Sequence, residues 1–115
     1  MARLWNKTTN LLLIENLHEA KSFWPRMRGL LGKSILNKNE GLWIHRCNSI
    51  HTFGMKFTID CLFLDKKMQV CAIKEHVKPW KIVLPIWQAS SVIELSEGKL
   101  QELHLQVGDQ VYVGH

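Results

Sequence analysis

Residues 57–64 (FTIDCLFL) constrain this chain more than any other stretch. All but Thr58 and Asp60 are apolar, with β-branched and aromatic side chains among them, so the segment reads as a strand buried on both faces. Such a strand needs a layer of structure on each side of it. The acid inside it is a second constraint. An unpaired buried charge is very costly, so Asp60 requires a partner, and Arg28 or Lys56 is the expected one. Just upstream, Cys47, Asn48, Ser49, His51 and Thr52 form a polar turn that feeds the strand. The rest of the chain reads as built around residues 47–65.

Before this centre, residues 11–15 (LLLIE) suggest a strand, with Leu4 and Trp5 as a further piece ahead of it. Ser22 reads as an N-cap, and Phe23, Met27, Leu30 and Leu31 fall on one face of a helix that stops at Gly32. Residues 33–41 are loop-like, and Leu42, Trp43 and Ile44 begin the next strand. After the centre, Asp65, Lys66 and Lys67 turn the chain into a returning strand over residues 68–74. Pairing Leu64 with Met68 would set Cys61 opposite Cys71 and Asp60 opposite Ala72. Residues 77–80 (VKPW) form an extended turn, since a residue before proline leaves the helical region. Two strands follow at residues 82–84 and 91–95. Ser96 then caps a helix over residues 97–103, with Leu100 and Leu103 facing inward. A closing strand at residues 111–113 follows the Gly108-Asp109 turn. About seven short strands and two helices result: an α+β fold, mostly antiparallel, curled into a sheet or a small incomplete barrel.

Composition bounds the function. With 115 residues the chain is expected to form one domain. Its longest apolar runs fall well short of the ~20 residues a membrane span needs. No apolar segment follows the basic residues at the start, so no signal peptide is expected and a cytoplasmic location is the default. Cys47, Cys61 and Cys71 are an odd number without a CxxC spacing, which favours reduced thiols. The net charge of +5 is uneven: residues 1–56 hold nine Lys and Arg against three acids, and residues 57–115 hold six against seven. The basic half is read first as a solvated face and second as a patch for an anionic partner.

Several pieces together resemble domain-of-unknown-function family 192 (DUF192), expected here as a bacterial family. They are Arg28-Gly29-Leu30-Leu31-Gly32, Gly41-Leu42-Trp43-Ile44, Cys47-Asn48-Ser49-Ile50-His51-Thr52-Phe53, Met55-Lys56-Phe57, Ile59-Asp60, Phe63-Leu64-Asp65, Lys78-Pro79-Trp80 and Val107-Gly108-Asp109. In this order they span residues 11–113. The resemblance implies a compact, mostly β domain with the polar cluster at its centre, and it implies no activity. Two positions depart from the family pattern. Gly54 stands where a bulky aromatic is usual, leaving an opening beside His51 or a freer turn, and Thr58 stands where proline is usual.

Three readings of the centre compete. Cys47, His51 and Met55 are spaced four apart with His45 nearby, a soft ligand set for copper(I), or for zinc without the methionine. Cys47, His51 and Asp60 supply the residue types of a nucleophile, its base and an orienting carboxylate. The favoured reading is structural: His51 and Thr52 tie down the turn, and Asp60 is neutralised beneath it. A polar network of that kind can still floor a binding cleft. Five tryptophans are many for this length, and Trp80 and Trp24 are the ones expected to be partly exposed, as at protein interfaces. No nucleic-acid motif accompanies them, and nucleic-acid binding is not expected.

The function expected from the sequence is therefore non-enzymatic binding of a protein partner or small ligand, without a cofactor. The cleft would be formed by Cys47, Ser49, His51, Thr52, Met55 and Asp60, with Arg28, Lys78 and Trp80 on its rim. A metal site at Cys47, His51 and Met55, or thiol-dependent activity centred on Cys47 and His51, is the alternative.

Overall fold

A computed structural model describes residues 2–20 and 36–115 of the chain. Nine strands and one short helix follow one another: β1 (Ala2–Asn6), β2 (Leu12–Ala20), β3 (Glu40–His45), β4 (Ile50–His51), β5 (Ile59–Leu64), β6 (Val70–Val77), β7 (Ile82–Val83), β8 (Ser91–Ser96), α1 (Lys99–Leu103) and β9 (Val111–Gly114). Seven strands form one sheet in the order β6-β5-β8-β3-β2-β1-β9, while β4 and β7 make a separate two-stranded ribbon. Every pairing is antiparallel except that of β2 with β3.

The expected curl is present. One apolar cluster draws Val70 from β6 at one edge, Leu62, Ile93, Ile14 and Leu4 from the middle, and Val111 from β9 at the other. Both edges can reach one cluster only if the sheet bends around it. The edges also meet directly. Gln69 and Gln110 form an antiparallel bridge, and Val70 N–H donates to the Asp109 carbonyl at 2.8 Å. The fold is thus a half-barrel, mostly β rather than α+β, since α1 is the one helix among the described residues and has five residues. The helix expected from Ser22 to Gly32, with Arg28 and Trp24 on it, lies outside the described residues.

A second cluster packs on the outer face of the sheet. Leu42, Ile44, Ile59, Cys61, Phe63 and Val92 supply the sheet side of it, and Cys47, Ile50, Met55, Val83 and Ala89 cover them. Every residue of β5 and β8 is consequently buried, as the apolar run demanded of β5. The strand over residues 11–15 is longer than its apolar part. It continues as β2 through polar residues to Ala20, because the parallel partner β3 satisfies its backbone there.

Three sequence expectations change. Leu64 pairs with Val70, and Cys61 lies opposite Lys74 rather than Cys71. The cause is the turn: Asp65 Oδ1 accepts the N–H groups of Lys67 and Gln69, and Met68 is left-handed at φ 63°, which makes a three-residue loop. Ser96 ends β8 and does not cap a helix; Gly98, at φ 84°, turns the chain into α1. Of the partners expected for Asp60, Arg28 lies outside the described residues and Lys56 is exposed; the described partners are backbone groups instead. A bulge in β6 puts His76 at φ 54°, and its N–H donates to Asp60 Oδ1 at 3.0 Å, while Leu100 N–H donates to Oδ2 at 3.1 Å. The buried carboxylate thus holds β6 and the first turn of α1 together. Replacing Asp60 by Asn sets an amide against a backbone N–H and is expected to cost about 3 kcal/mol in urea unfolding. An unchanged midpoint would show that these bonds do not hold the two elements.

Candidate functional site

The chain leaves the sheet after β3 and again after β6, and the two excursions meet on its outer face. Thr52 joins them. Its buried hydroxyl donates to the Lys78 carbonyl at 2.6 Å and accepts the Lys81 N–H at 2.9 Å, while its own N–H and carbonyl bind Lys81 and Trp80. A β-branched residue with a hydroxyl suits this place, being stiff and able to bond on both sides. Next to it, Met55 N–H donates to the Thr52 carbonyl at 3.1 Å, and Gly54 takes φ 82°. This is the second central position of a type II turn, which glycine occupies without strain. Gly54 thus serves the turn and does not line the cleft.

That cleft has a volume of about 380 Å³ and is lined by residues 46–51 together with Phe53 and Ile82. Arg46, left-handed at φ 52°, lies at its margin. His51 contacts Phe53 with ring centroids 5.1 Å apart, and Phe53 stacks on Trp80 at 5.9 Å. Cys47, Ser49 and His51 therefore line one cleft, with the Cys47 thiol donating to the Ser49 carbonyl at 2.9 Å. Trp80 reaches the rim through Phe53, whereas Lys78 contributes its carbonyl to Thr52 and leaves its side chain exposed. Met55 is buried in the outer cluster beside Cys47 and does not face the cleft.

Asp60 is not part of this site. Side chains alternate along β5: Ile59, Cys61 and Phe63 pack outward with Cys47, while Asp60 turns inward to Leu100. The Cys47, His51 and Asp60 constellation is therefore split by the sheet. Among the described residues, no three His, Cys, Asp or Glu side chains converge as a metal would require. His45 contacts the Trp43 ring at a tilt, with centroids 4.0 Å apart. Burial pushes the Cys47 thiol up and the Cys61 thiol well up from their ordinary values.

One acid escaped the sequence reading. Glu94 lies in β8 beside Leu42 and Cys61, fully buried, and neither carboxylate oxygen has a hydrogen-bond partner among the described residues. It stands between Ile93 and Leu95 in a strand that is covered on both faces. Burial pushes its carboxyl up to about 8, so it is neutral at pH 7. Four surface residues were also missed, namely Phe53, Ile82, Leu84 and Trp87, all of them exposed. Prolines at positions 79 and 85 bracket two of them, Ile82 and Leu84.

A family model, DUF192, described as an uncharacterized ACR, matches residues 6–113. A UPF0127 protein of Thermococcus sibiricus is 32% identical over 94% of this chain and 72% of its own length. A UPF0127 protein of Pyrococcus abyssi is 38% identical over 55% of this chain and 53% of its own length. These relatives are archaeal, so the bacterial expectation was too narrow. Among solved structures, a protein of unknown function from Novosphingobium aromaticivorans superposes with a TM-score of 0.79 at 18% identity, covering 96% of this chain and 82% of that one. That identity shows a shared fold alone. Among the described residues no helix is long and apolar enough to cross a membrane.

The Glu94 carboxyl makes stability depend on pH in a defined direction. Between about 4.5 and about 8 the folded protein keeps a proton that the unfolded chain has released, so rising pH weakens the fold across that window. Glu94→Gln removes the effect. Its stability advantage over the parent is expected to grow by about 1.4 kcal/mol per pH unit between pH 5 and 7. Chemical denaturation at three pH values measures it, and parallel stability curves would refute it.

Proposed function

The chain belongs to the DUF192 family, and from the outer cleft we propose that it is a non-enzymatic recognition module binding a protein partner or small ligand there. The observation that carries this reading is the cleft itself, bordered by an exposed aromatic pair that Thr52 holds in place. Its volume falls within the range of small-molecule sites. Arg46 offers a planar cation, and the wall from Ile50 to Ile82 offers apolar surface. Because Thr52 fixes both excursions, little order remains to be lost on binding.

Metal binding or thiol chemistry at Cys47 and His51 draws less support. Both need a thiolate, and burial keeps the Cys47 proton on. Alkylation by iodoacetamide at pH 7, read by peptide mass mapping, is expected to be slower at Cys47 than at free cysteine. Faster reaction would put the thiol reading first.

Binding is tested by a fragment screen read through the backbone amides of the ¹⁵N-labelled protein. Hits are expected to shift Asn48, His51 and Phe53 together, and Phe53→Ala is expected to weaken them at least tenfold with an unchanged melting temperature. Hits that cluster elsewhere, or that survive Phe53→Ala, would refute the assignment of the cleft.

A further inference from the structure

The surface beside the cleft carries a more specific assignment. In the ribbon, β7 pairs with β4, and no described strand lies along its other edge. Lys81 turns both its N–H and its carbonyl toward Thr52. Strand alternation then directs the N–H and carbonyl of Ile82 away from β4, to the edge along which no described strand lies. Open edges are normally blunted or covered, because they accept another strand. This one is flanked by apolar side chains instead: Trp80 is 68% exposed, Ile82 61%, Leu84 75% and Trp87 84%, while Val83 between them is buried. The proline at 79 and the proline at 85 lack the backbone donor and confine the usable edge to the five residues between them.

Charge decides the occupant. Residues 46–59 hold Arg46 and Lys56, residues 77–93 hold Lys78 and Lys81, and neither stretch contains an acid. All four cations are exposed. A second copy of this chain, with its net charge of +5, is repelled by such a surface. Single-stranded nucleic acid would find cations and aromatic rings, but the branched side chains of Ile82 and Leu84 offer no ring to stack on, and bases have no use for a strand edge.

We propose that the outer edge of β7 docks an extended acidic segment of a partner protein, which adds a short strand beside residues 80–84. Alternate apolar side chains of the segment would lie on Trp80, Ile82 and Leu84, and its carboxylates would face Lys78, Lys81 and Arg46. This inference rests on the reading of the region as a recognition site and names the partner's chemistry.

The test uses the full chain, ¹⁵N-labelled, and three probes: heptapeptides alternating Glu with Val, Ile, Leu or Phe; the same peptides with Lys for Glu; and a ten-nucleotide oligouridylate. The acidic set is expected to shift the amides of residues 80–84. Binding, followed by fluorescence anisotropy, is expected to weaken at least tenfold with Leu84→Glu at an unchanged melting temperature. N-methylation of alternate peptide residues is expected to abolish it in one register and spare it in the other. Equal binding of the Lys peptides, insensitivity to N-methylation, or preference for the oligouridylate would overturn the proposal. Shifts confined to residues 46–53 would overturn it while leaving the cleft as a binding site. With no acidic-peptide shift in either region it falls, and the fragment screen then decides the cleft separately.

Discussion

The carboxylate of Asp60 is the interaction on which the closed end of the half-barrel depends. Its two oxygens take one N–H from the β6 bulge and one from α1, so a single side chain joins three elements that are remote in sequence. Charged acceptors make stronger hydrogen bonds than neutral ones, and a buried N–H left without an acceptor is costly. A five-residue helix cannot sustain itself by its own backbone bonds. It stands here because Leu100 is packed in the inner cluster and its N–H is held from below. Asp60 thus takes the capping position that Ser96, at the end of β8, cannot reach.

The parts of the fold that were legible share one property: their signal is local. The doubly buried β5, the early strands and the glycine turn at 108 all follow from short-range pattern. What was not legible depended on distant residues. The partner of Asp60 is a pair of backbone groups, which no charge pairing could reveal. The hairpin register followed from a side-chain bond inside the turn at Asp65, which moved the partner of Leu64 from Met68 to Val70; with the irregularity between Phe63 and Leu64 this exchanged Lys74 for Cys71 opposite Cys61. Likewise β2 outran its apolar core because β3, pairing in parallel, supplied the bonds.

The site shows the same division. Cys47, Ser49 and His51 share a turn and so share the cleft, and Thr52 ties that turn as a hydroxyl at a chain crossing can. Asp60 was drawn into the site by proximity in sequence, yet strand alternation sends it to the opposite face. Glu94 arrived from forty residues away by sheet pairing alone. Its neutral carboxyl lies among the thiols of Cys61 and Cys47, an apolar setting that explains why the proton stays on. Trp80, after its Lys-Pro turn, was expected at the surface and lies there, whereas Phe53 and Ile82 look like core residues by type. Their exposure is a property of the ribbon that carries them.

The seam of the half-barrel has a consequence for synthesis. Leu4 in β1 pairs with Val113 in β9, and Gln69 bridges to Gln110. A nascent chain that has already made β1 and β2 must therefore carry an unprotected outer strand until β9, at Val111–Gly114, has emerged. Pairing across so long a loop is slow, and an uncovered edge is where chains adhere to one another. The interval before β9 arrives is the stage at which this protein is most in need of a dilute or chaperoned environment.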